Sequence, residues 1–139
     1  MGKMVLLLYK EFNMYIEEIF GTPIAWQQDP IVLWEENMHE PWSDYKGATM
    51  FIVRTEDTGE IVGGFAVYRD NSDGIKGIFC SGWAGRHKKV PCDKIIKQIA
   101  LNFGDLYFKT DKRAAKFLLE KIGEKVKTTD RFVYYIVKR

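Results

Sequence analysis

The chain has 139 residues, 46% of them hydrophobic and 29% charged, with a net charge of +2; that size supports one packed core, hence a single domain over residues 1–139, and not two. No apolar stretch approaches the roughly 20 residues that cross a bilayer. The net charge conceals a division: residues 1–74 carry 5 Lys/Arg against 13 Asp/Glu, and residues 75–139 carry 16 against 6. Such a split suits an anionic ligand on the basic half and a cationic one on the acidic half, or else the mutual attraction of two faces or plain solvated surface.

In chain order, Met4 to Tyr9 reads as a buried strand, too short for a secretory signal, so a cytosolic protein without membrane association is expected. Glu11 to Phe20 places Phe12, Tyr15, Ile16 and Ile19 at helical spacing and predicts a helix. Gly21-Thr22-Pro23 stops it. A second helix is predicted from Ile31 to Met38, with Asp29 as cap and Pro30 in its first turn, and Pro41 ends it. The period then changes to that of strands. Met50–Arg54, Ile61–Tyr68 and Ile75–Cys80, joined by turns at Glu56–Gly59 and Asp70–Gly74, predict an antiparallel three-strand meander.

The stretch Ser81–Lys89 reads as a loop, and Pro91 opens a helix carrying Ile95, Ile96, Ile99, Ala100 and Phe103 on one face, with Gly104 as its end cap. Leu106–Phe108 is a short strand, Lys112–Ile122 a helix closed by Gly123, and Arg131–Val137 a last strand rich in β-branched and aromatic residues. Cys80 and Cys92 lack a metal-type spacing, and with only His39 and His87 beside them the chain is expected to hold no metal and to keep free thiols.

This order of elements, together with Ala115-Lys116-Phe117-Leu118-Leu119-Glu120-Lys121-Ile122-Gly123, resembles the GNAT-type N-acetyltransferases and their late helix. The resemblance implies an α/β (α+β) fold with a mixed, mostly antiparallel sheet of about six strands flanked by about four helices. It also implies acetyl-CoA or another acyl-CoA as co-substrate and an amine acceptor, either a small molecule or a protein. Two positions depart from the family's pattern: the glycine-rich acyl-CoA loop has a different wording here, and Leu119 stands where a tyrosine often protonates the departing thiolate. Compact proteins of this kind also occur in phages, some as virion or host-takeover components.

Physical chemistry marks the residues that would carry the reaction. Gly82 and Gly85 let the backbone approach a pyrophosphate, while Arg86, His87, Lys88 and Lys89 lead to the positive end of the helix at Pro91. The resemblance further implies, by position in that fold, that the amide N–H of Cys80 or Ser81 would polarise the thioester carbonyl. A base must deprotonate the acceptor ammonium; His39, whose side-chain type titrates at about 6.5, and Glu35 or Glu36 acting through a water, are the candidates. Tyr107, on the short fifth strand, is the candidate to reprotonate the thiolate in place of the missing helix tyrosine, or else packs the core. Trp26, Trp34 and Trp42 offer either a wall for an amine or core packing and a dimer contact. Cys92 at a helix start would have a lowered pKa if exposed.

Two other readings fit the same residues. One is a catalytically inactive module that binds a protein partner. The other is a nucleic-acid binder whose phosphate contacts come from Arg86, Lys88, Lys89, Lys94, Lys97, Lys112, Arg113 and Lys116.

Overall fold

The structure, a computed structural model, describes residues 13–20, 28–45, 47–85 and 89–139. They form seven strands and three α-helices: β1 (Met14–Phe20), α1 (Gln28–Met38), β2 (Thr49–Thr55), β3 (Ile61–Ser72), β4 (Ile75–Ala84), α2 (Cys92–Phe103), β5 (Leu106–Thr110), α3 (Arg113–Ile122), β6 (Glu124–Thr128) and β7 (Val133–Val137). A single 3₁₀ turn, Trp42–Asp44, follows α1. Strand order is β1-β2-β3-β4-β5-β7-β6, antiparallel except between β4 and β5. The mixed, mostly antiparallel class is the expected one, with one more strand than expected among the described residues.

The chain divides into two compact units, one from Met1–Tyr68 with Gly82–Val90, the other from Arg69–Ser81 with Pro91–Arg139. In the first, β1 pairs with β2 from Met14↔Thr55 to Phe20↔Thr49. The helix expected over Glu11–Phe20 is therefore a strand where it is described. Met14, Ile16 and Glu18 are buried and alternate with less buried Tyr15 and Glu17, the period of two that a paired edge imposes. A short apolar run fits both periods, and here the open edge of β2 decides. The strand expected at Met4–Tyr9 lies outside the described residues.

The helix expected at Ile31–Met38 is present as α1, starting three residues earlier. Its Trp34 is fully buried, packed with Trp42, Ala48, Met50, Ile52 and Ala66. Full burial of side chains of this size contributes about 1.5–3 kcal/mol each, so this cluster anchors the helix to the sheet. Arg54 fastens the β2–β3 turn: its Nε lies 3.4 Å from Glu17 Oε1, and its Nη1 donates to Gly59 O at 2.9 Å.

In the second unit the hairpin turn is tighter than the sequence suggested. β3 continues to Ser72, and only Asp73 and Gly74, at φ of +51° and +82°, make the turn. Both central residues of a type I′ turn need positive φ, which Asp-Gly supplies at little strain. β4 likewise runs on to Ala84, so Ser81–Ala84 is strand and not loop.

α2 buries Ile95, Ile96, Ile99 and Ala100 and ends on Gly104 at φ +97°; α3 buries Leu119. β6 had no counterpart in the expected order. Its five residues are all exposed, so it carries no apolar pattern, and it exists because β7 offers it a partner from Glu124↔Ile136 to Thr128↔Val133. Among the described residues no helix is long and apolar enough to cross a membrane.

Candidate functional site

Parallel strands β4 and β5 are joined at a single bridge, Phe79↔Tyr107. The opposite edge of β5 pairs with β7 along its whole length, from Leu106↔Val137 to Thr110↔Val133. β4 meanwhile continues past the bridge through Cys80 and Ser81. An even parallel ladder would repeat its bonds along the pair, whereas this pairing is confined to one position. The Tyr107 ring lies 5.6 Å from that of Phe79 and covers Gly77, where a Cβ would sit 2.8 Å from the tyrosine Cε2. Alternation buries Leu106 and Phe108 and leaves Tyr107 half-buried on the opposite face. Cys80 is buried, and burial pushes its thiol far above the usual range.

The segment expected to cradle a phosphate is more regular than its sequence suggests. Gly82 is a packing glycine: a Cβ there would fall 2.5 Å from Phe65 Cδ2 and 2.9 Å from Gly64 O. The Gly85 N–H donates to Val62 O at 2.8 Å. Arg86, His87 and Lys88 lie outside the described residues, and Lys89 is exposed. α2 begins after Pro91 with no side-chain cap, and Asp93 occupies its first turn.

The Cys92 thiol is pushed up to about 11, by burial first and then by the Asp93 carboxylate, although a backbone hydrogen bond opposes both. The lowered pKa expected at an exposed helix start is thus reversed, because the thiol is part-buried beside an anion. Neither cysteine has the electropositive setting of a nucleophile.

In the first unit, the acidic aromatic segment is organised by hydrogen bonds of its own. Glu35 Oε2 accepts the Trp42 N–H at 2.8 Å, so its carboxylate holds the 3₁₀ turn against the end of α1. Glu36 is exposed. His39 closes α1, donating its N–H to Glu35 O at 3.0 Å from a left-handed backbone at φ +58°, a conformation histidine tolerates better than most residues. Its imidazole is on the exposed side. Glu40 accepts the Tyr45 hydroxyl.

The tryptophans settle their alternatives differently. Trp34 is 0% exposed and Trp42 6%, so both are core, in edge-to-face contact at 5.3 Å. Trp34 Nε1 has no hydrogen-bond partner among the described residues. Trp26 lies outside the described residues, and Trp83, on β4, covers Gly64 with its indole.

One polar group was invisible in the sequence. Tyr134, fully buried, donates its hydroxyl to Asp73 and shares a 2.8 Å hydrogen bond with Ser72 Oγ, while Lys109 Nζ donates to the same Ser72 Oγ at 3.1 Å. Lys127 Nζ donates to the Asp73 carbonyl. Tyr135, on the other face of β7, donates to Glu120 Oε2 at 2.8 Å; burial, then that carboxylate, pushes its phenol up to about 12. Serine and tyrosine 62 positions apart share no motif. Only the tertiary fold brings them together.

No protein-family model matches the chain, and no curated protein sequence matches it. Solved structures do. An acetyltransferase from Agrobacterium tumefaciens superimposes at a TM-score of 0.62, with 10% identity, over 99% of this chain and 96% of that one. The Campylobacter jejuni N-acetyltransferase PseH in complex with acetyl coenzyme A does so at 0.55 and 14% identity, over 89% and 99%. A GNAT-family acetyltransferase from Listeria monocytogenes gives 0.56 at 10% identity, over 97% and 100%. At such identities the likeness is one of fold, it extends over nearly the whole chain, and it agrees with the strand order: the chain has the GNAT-type N-acetyltransferase fold.

Proposed function

We propose that the protein is an N-acyltransferase that moves an acyl group, in the first instance acetyl, from acyl-CoA to a primary amine. The observation that carries this reading is the single Phe79↔Tyr107 bridge between β4 and β5, past which β4 continues through Cys80 and Ser81, the residues proposed to meet the thioester. Support comes also from the fold's near-complete match to acetyltransferases, one of them solved with acetyl coenzyme A.

In the proposed reaction the amine nitrogen attacks the thioester carbonyl, the new C–N bond forms, the C–S bond breaks and the thiolate leaves with a proton. The Cys80 or Ser81 amide polarises the carbonyl, where developing negative charge is worth most to stabilise. Arg86, His87, Lys88 and Lys89, with the start of α2, take the CoA phosphates. Tyr107 returns the proton to sulfur. Of the base candidates, Glu36 and His39 are exposed and suited to act through water, whereas Glu35 is engaged by the Trp42 amide.

Leu119 favours a second reading, a GNAT-like module without catalysis that binds a protein partner. It is buried at 3% exposure, so the late helix supplies no hydroxyl there. Isothermal titration with acetyl-CoA and with CoA, at low and moderate salt, separates the two. Micromolar binding is expected. Absence of binding at millimolar ligand overturns the transferase reading and leaves the fold without its chemistry.

A further inference from the structure

The outer face of α3 carries a pattern that neither the core nor the transferase reading uses. Arg113, Phe117 and Lys121 recur every four residues, a spacing that lines side chains along one side of a helix about 6 Å apart. Phe117 is 67% exposed, the highest value for a large apolar side chain among the described residues, and Lys121 Nζ lies 4.6 Å from its ring centroid. Arg113 and Lys121 are exposed as well. α3 turns the other way to bury Leu119. Its one carboxylate, Glu120, accepts the Tyr135 hydroxyl at 2.8 Å.

A lone exposed apolar residue needs no explanation, but the setting of this one does. No acidic residue stands in the first turn of α3, and Arg113 there opposes the positive end of the helix dipole, so helix stability does not account for it. The surrounding chain is basic too: residues 109–139 carry 10 Lys/Arg against 4 Asp/Glu. Cations gathered around an aromatic ring set out in water suit a polyanion that also presents flat rings. An acidic protein segment answers the charge alone, because an aromatic anchor binds protein strongly in an enclosed pocket, and a side chain this exposed lines none.

We infer that the outer face of α3 binds single-stranded nucleic acid: one base stacks on Phe117, while Arg113 and Lys121 contact the phosphates to either side. Stacking on an aromatic side chain suits any base, and a cation beside the ring adds to it. A duplex keeps its bases stacked on one another and offers only its phosphates. The assignment stands apart from acyl transfer and uses none of the residues given to that reaction.

The test is fluorescence anisotropy of labelled short oligo(dA) and oligo(A) titrated with the full-length protein, beside a duplex of the same length. Both single strands are expected to bind about tenfold tighter than the duplex, and alike, since neither contact reads the sugar 2′-hydroxyl. Phe117→Ala and Phe117→Leu should each weaken binding about tenfold, the loss of one stacked base, whereas Phe117→Trp keeps it. Arg113→Gln and Lys121→Gln should each reduce the slope of log affinity against log salt by about 0.7. Thermal melts of these surface variants should match wild type.

No binding of either strand, duplex binding as tight as that of the single strands, or undiminished binding by Phe117→Leu overturns the proposal. Displacement of the strand by polyglutamate at equal charge concentration overturns it in favour of an acidic protein partner. Added CoA should leave strand affinity unchanged; competition by CoA would put the strand on the CoA loop and remove it from α3.

Discussion

The two units bury aromatic residues with polar handles in opposite ways. In the first, the indole of Trp34 is fully enclosed by Trp42, Tyr45 and apolar residues, and its Nε1 has no hydrogen-bond partner among the described residues. In the second, successive residues Tyr134 and Tyr135 point to opposite faces of β7 and each reaches a carboxylate, Asp73 on one side and Glu120 on the other. A buried donor without a partner forfeits about 1–3 kcal/mol, which ring volume must offset. A satisfied hydroxyl adds little net stability but fixes the register of the elements it joins. The Trp34 ring is thus held by packing alone, and the β7 tyrosines by packing and pairing together.

The largest expected effect tests the packing side. Trp34→Ala should destabilise the protein by about 3–5 kcal/mol in denaturant unfolding, whereas Trp34→Phe should lose only about 1–2 kcal/mol, since no hydrogen bond goes with the indole nitrogen. If Trp34→Phe is as damaging as Trp34→Ala, the indole N–H has a partner and the contrast between the units collapses.

Gly82→Ala comes next. The added Cβ would meet Phe65 at 2.5 Å and the Gly64 carbonyl at 2.9 Å, and relief of such overpacking costs about 1–3 kcal/mol. A thermal melt unchanged from wild type would show that Gly82 is not a packing residue and would return it to the role of a flexible loop glycine.

The smallest effect concerns pairing. Tyr135→Phe should cost about 1 kcal/mol and alter the response to alkali. Folding raises the Tyr135 phenol from about 10 in the unfolded chain to about 12. Between those values the folded state keeps a proton that the unfolded state has released. The contribution is therefore complete below about pH 10 and is lost as pH rises toward about 12. Unfolding curves across that window should fall less steeply for Tyr135→Phe than for wild type; identical slopes would mean that the Glu120 hydrogen bond does not hold the proton.

Much of the fold is legible in the sequence. α2 and α3 announce themselves by apolar residues at helical spacing and by Gly104 and Gly123 at their ends. β2, β3, β5 and β7 read as strands because β-branched and aromatic residues dominate them. β1 was misread because Tyr15, Ile16 and Ile19 satisfy a helical period as well as a strand's. β6 was missed because Glu124–Thr128, lying at the sheet edge, buries nothing.

The candidate site was legible in part. Tyr107 on a short strand beside β4 could be placed from the order of elements. That Phe108 is the buried neighbour and Tyr107 the half-buried one could not, since alternation alone does not say which face is covered. The duties of Gly82 and Glu35 were hidden as well, because each depends on a residue of another element, Phe65 in one case and Trp42 in the other.

What the sequence determined by itself is local: which segments alternate with period two, which turn with a period near 3.6, where glycine stops a helix, and that acid gathers before residue 75 and base after it. Tertiary structure decided which ambiguous run became a strand, where β4 and β5 bridge, which aromatic rings are sealed, and that Ser72 and Lys109 meet Tyr134. The reason is the range of the forces. Propensity and periodicity act between near neighbours in the chain, whereas register, burial and hydrogen-bond satisfaction depend on what a distant segment brings to the other side of the contact.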